Sequence, residues 1–284
     1  MEDRIVPLIA ERAPWLYRPG AAPGLARSVL DRLLMLPETL ELGASLDPLP
    51  AAGIMAQMEA RIARRVSVRG LSHIPRSSAA LIVANHPTGI ADAIMLHHAL
   101  TRVREDLFYF ANRDILRVFP QFETMIAPVE WRLEKRSHAK TRETMAFTRR
   151  AVEDRRLGVI FPSGRLAKRR GLKLYERPWM ASAAMIARKF DLPIIPVNIQ
   201  ARNSALFYLF DAIHPTLRDI TLFYETLNKD RQPFHITVGE PISPAALPRS
   251  SDQAIEVLRR ETLALGARDL SLVSRALRPV PQTL

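Results

Sequence analysis

The segment of this chain best suited to chemistry is Leu81-Ile82-Val83-Ala84-Asn85-His86-Pro87-Thr88-Gly89-Ile90-Ala91-Asp92. An apolar run ends in a polar amide, then a histidine, a Pro/Gly turn, and a helical pattern whose first turn holds an aspartate. In that layout the Asp92 carboxylate can accept a hydrogen bond from one ring nitrogen of His86. It would fix the tautomer and stabilise the imidazolium formed when the other nitrogen takes a proton. The pair is a candidate oriented general base, with Asn85, Thr88 and Gly89 as candidate substrate contacts. The same residues would also suit a plain strand cap, Asp92 serving only the dipole of the helix it opens.

A second segment, Phe161-Pro162-Ser163-Gly164-Arg165-Leu166-Ala167-Lys168-Arg169-Arg170, follows another apolar run. Backbone amides of a Ser163-Gly164 turn, joined by Arg165 or Lys168, make a candidate receptor for a phosphate or carboxylate. From Trp131 to Lys173 fourteen Lys/Arg, Arg136 among them, face four acids. That is more lopsided than a mixed solvated face needs, and it points to an anionic headgroup, a carrier phosphate or a membrane surface. The whole chain agrees in sign, with 41 Lys+Arg against 29 Asp+Glu and a net charge of +12, which predicts an anionic partner.

A rival reading is a non-enzymatic basic module that binds anionic membrane or nucleic acid. Single-stranded nucleic acid calls for stacking aromatics among the arginines. Residues 132–173 hold only Phe147 and Phe161, so no nucleic-acid partner is expected, and a pure membrane module leaves the His86 turn unexplained. The absence of cysteine removes disulfides, thiolate metal sites and cysteine nucleophiles. His97-His98 has no second ligand at metal spacing, and His73, His138, His214 and His235 are isolated, so no metal is expected. There is no P-loop, no dinucleotide glycine set and no nucleophile elbow around Ser163.

The elements that must position these groups follow from apolar periodicity. Strand-like runs fall at 66–71, 79–85, 107–111, 125–129, 158–161 and 193–199, with helical patterns at 92–100, 138–153 and 179–190. Short, nearly all-apolar strands predict a mostly parallel central sheet covered by helices on both faces, an α/β fold. Further strands are predicted at Ile220–Tyr224 and His235–Gly239, and a helix at Asp252–Leu265 before a Pro-containing tail. The expected divisions are an N-terminal amphipathic helical segment 1–64, an α/β domain 65–248, and a C-terminal helix and tail 249–284.

Residues 1–48 form helices broken by Pro14, Pro19, Pro23, Pro37 and Pro48. One segment puts Leu25, Val29, Leu33 and Leu36 on a single face; another does so with Ile54, Met58, Ile62 and Val66. Either face could pack on the domain or lie in a bilayer interface beside its arginines. No run reaches the roughly 20 apolar residues of a spanning helix, and no signal layout opens the chain. The expected location is therefore cytoplasmic, peripheral on the inner face of the membrane.

Asn85-His86 through Asp92 resembles the first block of the glycerolipid acyltransferases, the family that includes lysophosphatidic-acid acyltransferases. The usual N-H-x4-D form has gained one residue here, as in the branch resembling lyso-ornithine-lipid and hemolysin-like acyltransferases. Val159-Ile160-Phe161-Pro162-Ser163-Gly164-Arg165 is similar to the F-P-E-G-T-R block, and Pro193-Ile194-Ile195-Pro196-Val197 to the fourth. Asn203-Ser204-Ala205-Leu206-Phe207-Tyr208 and Val238-Gly239-Glu240-Pro241-Ile242 resemble elements of the ornithine-lipid branch. Lys135-Arg136 occupies the place of the second block. The resemblance spans roughly residues 66–243.

It implies that His86 deprotonates a lysolipid hydroxyl, oriented by Asp92, for attack on the thioester of acyl-CoA or acyl carrier protein, with no cofactor. The acceptor it implies is lysophosphatidate or lyso-ornithine lipid. Ser163 stands where most of the family has a glutamate linked to the acceptor's glycerol, which puts a glycerol-3-phosphate acceptor in doubt. Arg165 directly follows Gly164, so Arg165 or Lys168 could fill the phosphate role.

Overall fold

The computed structural model describes residues 1–130, 137–170 and 173–267. Arg136, expected to contact substrate, and the expected tail from 268 lie outside those residues. The strands are β1 (Val66–Arg69), β2 (Ala80–Ala84), β3 (Leu107–Asn112), β4 (Ile126–Val129) and β5 (Leu157–Ile160), then β6 (Lys168–Arg170), β7 (Lys173–Tyr175), β8 (Ile194–Gln200) and β9 (Phe234–Val238). Seven of them form one sheet in the order β1-β9-β8-β2-β5-β3-β4, while β6 and β7 make a separate antiparallel pair. Every pairing in the large sheet is parallel except β8 with β9. The mostly parallel α/β architecture expected from the apolar runs is what the chain adopts.

The central strand shows why. Every residue of β2 is buried, and its side chains alternate between two cores. Ala80, Ile82 and Ala84 join the core formed with α4 (Ala51–Ile62) and α5 (Ile90–Leu100). Leu81 and Val83 join the other, formed with α7 (His138–Glu153), α8 (Ser182–Lys189) and α11 (Ser251–Ala267). With both faces covered, β2 presents only its end to a ligand. β5 and β8 flank it in parallel, so three strands deliver their C-terminal ends to one edge, where ligands of open α/β sheets bind.

A third core joins α1 (Glu2–Arg12), α2 (Ala21–Leu33) and α3 (Leu36–Leu46) to α9 (Ala205–Ile213) and α10 (Pro215–Leu227). The segment Ile220–Tyr224, expected as a strand, is helical within α10. Leu217, Ile220 and Tyr224 fall on one helix face and meet the N-terminal helices, so helical packing overrides the β propensity of Ile-Thr-Leu-Phe-Tyr. Pro215 in the first turn and a His214 side chain accepting from the Thr216 amide at 3.3 Å start the helix.

The two N-terminal amphipathic segments part company. Ile54, Met58 and Ile62 of α4 are buried against the sheet, and Val66 belongs to β1. That apolar face serves the core, which corrects its reading as a bilayer surface. Leu25, Val29 and Leu33 of α2 are instead 70%, 56% and 45% exposed. The helix expected to reach Leu36 stops at Leu33, where Met35 turns left-handed (φ 54°) and Pro37 enters the first turn of α3. Among the described residues, no helix is long and apolar enough to cross a membrane.

Candidate active site

Where β2 ends, the Asn85 side chain behaves as one more peptide unit of the ladder. Its Nδ2 donates to the Ile199 carbonyl at 2.9 Å, and its Oδ1 accepts from the Ile199 amide at 2.7 Å. Asn85 is fully buried with both polar groups engaged. In this structure it fixes where the chain after β2 leaves the sheet and His86 begins.

The ring of His86 stacks on Phe161, just past β5, with centroids 4.3 Å apart. Its Nδ1 lies 2.9 Å from Asp92 Oδ2. The extra residue in the turn is absorbed because Pro87-Thr88-Gly89 folds over the carboxylate. Thr88 donates to Asp92 through its amide (2.8 Å) and its hydroxyl (2.5 Å), and the Gly89 amide donates at 3.0 Å. Asp92, fully buried in the first turn of α5, thus accepts three hydrogen bonds from the preceding turn besides the His86 contact, at a helix end whose dipole favours negative charge. With Nδ1 held, Nε2 is the nitrogen left for a substrate proton, and the side chain keeps 19% exposure.

Gly89 has φ 97°, and a side chain there would come within 3.0 Å of Leu166. Thr88 and Gly89, expected to touch substrate, build the cradle for Asp92.

The second expected segment closes on the first. The Ala167 amide donates to the His86 carbonyl at 3.0 Å, drawing the chain after β5 against the histidine turn. Ser163 is buried; its hydroxyl donates to the Arg165 carbonyl at 2.8 Å. Gly164 takes φ 56° and stays exposed. Arg165 and Lys168 are exposed. The structure therefore gathers His86, Asp92, Thr88, Gly89 and the Ser163-Gly164 turn into one constellation, with the two basic residues outside its buried part.

Sequence reasoning missed Glu176. This buried acid accepts from the Trp179 indole at 3.0 Å and, at 3.4 Å, from the backbone amide of His86. Nothing in its spacing from His86 marks it, because the loop between β7 and α8 brings it there. Burial pushes its carboxyl above the usual range, against the opposing donors Trp179, His86 and Ser163. Between the unfolded and the raised native value, the native state keeps a proton that the unfolded chain has released. The stability this group contributes is full below the unfolded pKa and is lost as pH rises through the native one. Glu176→Gln should flatten that part of the decline in melting temperature from acid to neutral pH. Parallel melting curves for the two proteins would remove Glu176 as its source.

Also unforeseen was the network behind the Asn203–Tyr208 segment. Lys229 is fully buried and donates to Glu225 at 2.6 Å and to Asn203 Oδ1 at 2.8 Å. Burial pulls its pKa down, while the charges of Glu225 and Asp92 oppose that. Glu225 accepts from the Ser204 amide at 2.9 Å and from its hydroxyl, and the Ser204 hydroxyl also caps α9 at Phe207.

A half-buried imidazole against a fully buried carboxylate at the exit of a parallel strand, with basic groups at its rim, is an arrangement that can take up a proton beside an anionic ligand. Residues 65–200 match the acyltransferase family. The chain is 21% identical over 184 residues to a lyso-glycine lipid O-acyltransferase of Phocaeicola vulgatus, across 63% of this chain and 64% of that relative's length. It is 23% identical over 242 residues to a lyso-glycine lipid O-acyltransferase of Bacteroides thetaiotaomicron, across 83% and 86%. Among solved structures, the 1-acyl-sn-glycerophosphate acyltransferase of Thermotoga maritima matches with a TM-score of 0.48 and 15% identity, over 86% of this chain and 98% of that one.

Proposed function

We propose that this protein is a lysolipid O-acyltransferase whose acceptor is an amino-acid lipid carrying a free hydroxyl on its acyl chain. The observation that carries the reading is the His86–Asp92 contact, with Nε2 left for substrate. The acceptor hydroxyl hydrogen-bonds to Nε2 and passes its proton there as its oxygen attacks the thioester carbonyl of acyl-CoA or acyl carrier protein. Asp92 stabilises the imidazolium. Collapse of the tetrahedral adduct expels the thiolate, which takes the proton back and leaves the ester.

The amino-acid class of acceptor is supported by the two curated relatives and by Ser163 standing in place of a glutamate. Glycine has no hydroxyl of its own, so O-acylation of a glycine lipid falls on its fatty chain. Arg165, Lys168 and Arg136 are the basic groups proposed to meet the anionic headgroup or carrier.

Delivery from a bilayer fits the exposed Leu25, Val29 and Leu33, with Arg18 and Arg32 nearby in sequence. Their helix packs through Ala26 and Leu30 in the core that includes Ile220 of α10. Leu222 of the same helix would lie 3.4 Å from a side chain at Gly89. The apolar face thus belongs to the body that walls the site, and we place the protein peripherally on an anionic membrane.

The test supplies purified protein with acyl-CoA or acyl carrier protein and a lyso-amino-lipid, either in anionic vesicles or in detergent micelles. Diacylated product is expected in both, and Leu25→Glu/Val29→Glu should slow only the vesicle reaction, by up to about 10³-fold for some 2 kcal/mol of lost apolar insertion at each of the two side chains. Absence of product in every pairing would refute the activity. Equal loss in micelles would refute the membrane role of α2.

A further inference from the structure

The segment Asn203–Tyr208 has no part in proton transfer, yet it forms one wall of the site edge. Asn203 follows β8, whose parallel neighbour β2 ends at Ala84, two residues before His86. The buried Tyr208 accepts a hydrogen bond from the Asn203 amide at 3.2 Å, and burial pushes its hydroxyl up to about 12. Lys229, Glu225 and Ser204 lock the turn between them. Across this platform lies Arg169 of β6, its guanidinium carbon 5.1 Å from the centre of the Tyr208 ring.

The approach of β6 is set by the Ala167 amide on the His86 carbonyl. Side chains two apart along an extended strand share a side, about 7 Å from one another. Ala167 is buried, Lys168 is exposed and Arg169 is half-buried, so Arg169 follows Ala167 toward the site while Lys168 turns out. Stacking occupies the face of a guanidinium and directs its N–H donors along the plane, the geometry that matches a planar carboxylate in two parallel hydrogen bonds. An amino acid acylated at its amine retains such a carboxylate a short reach from its chain.

We propose that Arg169, held on Tyr208, recognises the headgroup carboxylate of the acceptor and is the main determinant of its class, ahead of the exposed Arg165 and Lys168. This rests on the reading of the acceptor as an amino-acid lipid. It gives the Asn203–Tyr208 segment a purpose: a rigid aromatic seat for one arginine beside the catalytic histidine.

Equilibrium binding, without acyl donor, of an N-(β-hydroxyacyl)glycine, its uncharged glycinamide and lysophosphatidate tests the assignment. Wild type, Arg169→Gln, Arg169→Lys and Arg165→Gln/Lys168→Gln are compared, with melting curves to confirm folding. Wild type should bind the acid about 10- to 100-fold more tightly than the amide, as loss of a charge-assisted hydrogen bond predicts. Arg169→Gln should bring the two within about threefold and Arg169→Lys should fall between, while the double variant should bind both ligands more weakly yet still favour the acid by about tenfold or more.

An undiminished preference in Arg169→Gln overturns the proposal, as does a loss confined to the double variant. Tightest binding of lysophosphatidate, weakened by Arg169→Gln, overturns the carboxylate assignment in favour of phosphate. Turnover with added acyl donor is scored separately. Protein that binds with this pattern but transfers no acyl group contradicts the proposed activity and leaves Arg169 as the headgroup receptor.

Discussion

His86→Ala should lower acyl transfer by about 10²- to 10⁴-fold, the usual worth of a positioned general base, while the protein stays folded. The ring adds little to the core. Its main packing contact is the stack on Phe161 at 4.3 Å, and such a pair is worth about 0.5–1.5 kcal/mol. For a chain of this size that shifts the melting temperature by roughly 2–6 °C. Single-turnover rates with acyl-CoA and with acyl carrier protein, set beside a melting curve, separate the two effects. Added imidazole should restore part of the rate, because it can enter the space left by the ring beside Asp92 and Phe161. Turnover at the wild-type rate with either donor would reject His86 as the base.

Asp92→Asn has the second-largest expected effect and a different signature. The carboxylate accepts from His86 Nδ1, the Thr88 amide and hydroxyl, and the Gly89 amide, and an asparagine offers one oxygen and an NH2 in its place. At least one donor would then face another donor inside a fully buried site, which costs about 1–3 kcal/mol. The imidazolium would lose its counter-charge, and the Nδ1 proton its reason to stay. A fall in kcat of about 10²- to 10⁴-fold is expected, by analogy with triads that lose their aspartate. Acceptor KM should change little, since Asp92 has no exposed surface. An unimpaired kcat would show that the turn alone, without the charge, orients His86.

The sheet was legible because a parallel strand covered on both faces must be apolar at every position. Ala80–Ala84 meets that demand throughout, and Ile194–Gln200 does except at the buried Asn198 and Gln200, whose amides donate to the Thr262 and Gly266 carbonyls. Ile220–Tyr224 met a similar demand and misled, for a buried helical stripe and a short buried strand draw on the same residues. Its partners in the N-terminal helices, some 200 positions earlier in the chain, decide between them. The two amphipathic N-terminal segments read alike in periodicity, but only α4 found a sheet face to cover. Asn85 looked like a ligand contact because a polar residue at a strand end often is one. That its amide completes a ladder depends on where β8 runs.

By itself, then, the sequence determined the His86–Asp92 pairing and the period of the strands around it. His86 and Asp92 lie within two turns of chain, so local backbone geometry suffices to bring them into contact once a strand, a tight turn and a helix follow in order. Only the tertiary structure decided which other groups share the site. Glu176 reaches the His86 amide from ninety residues away, and Arg169 meets Tyr208 across two separate connections of the sheet. Contacts at such separations are chosen by how layers pack, and no spacing along the chain encodes them.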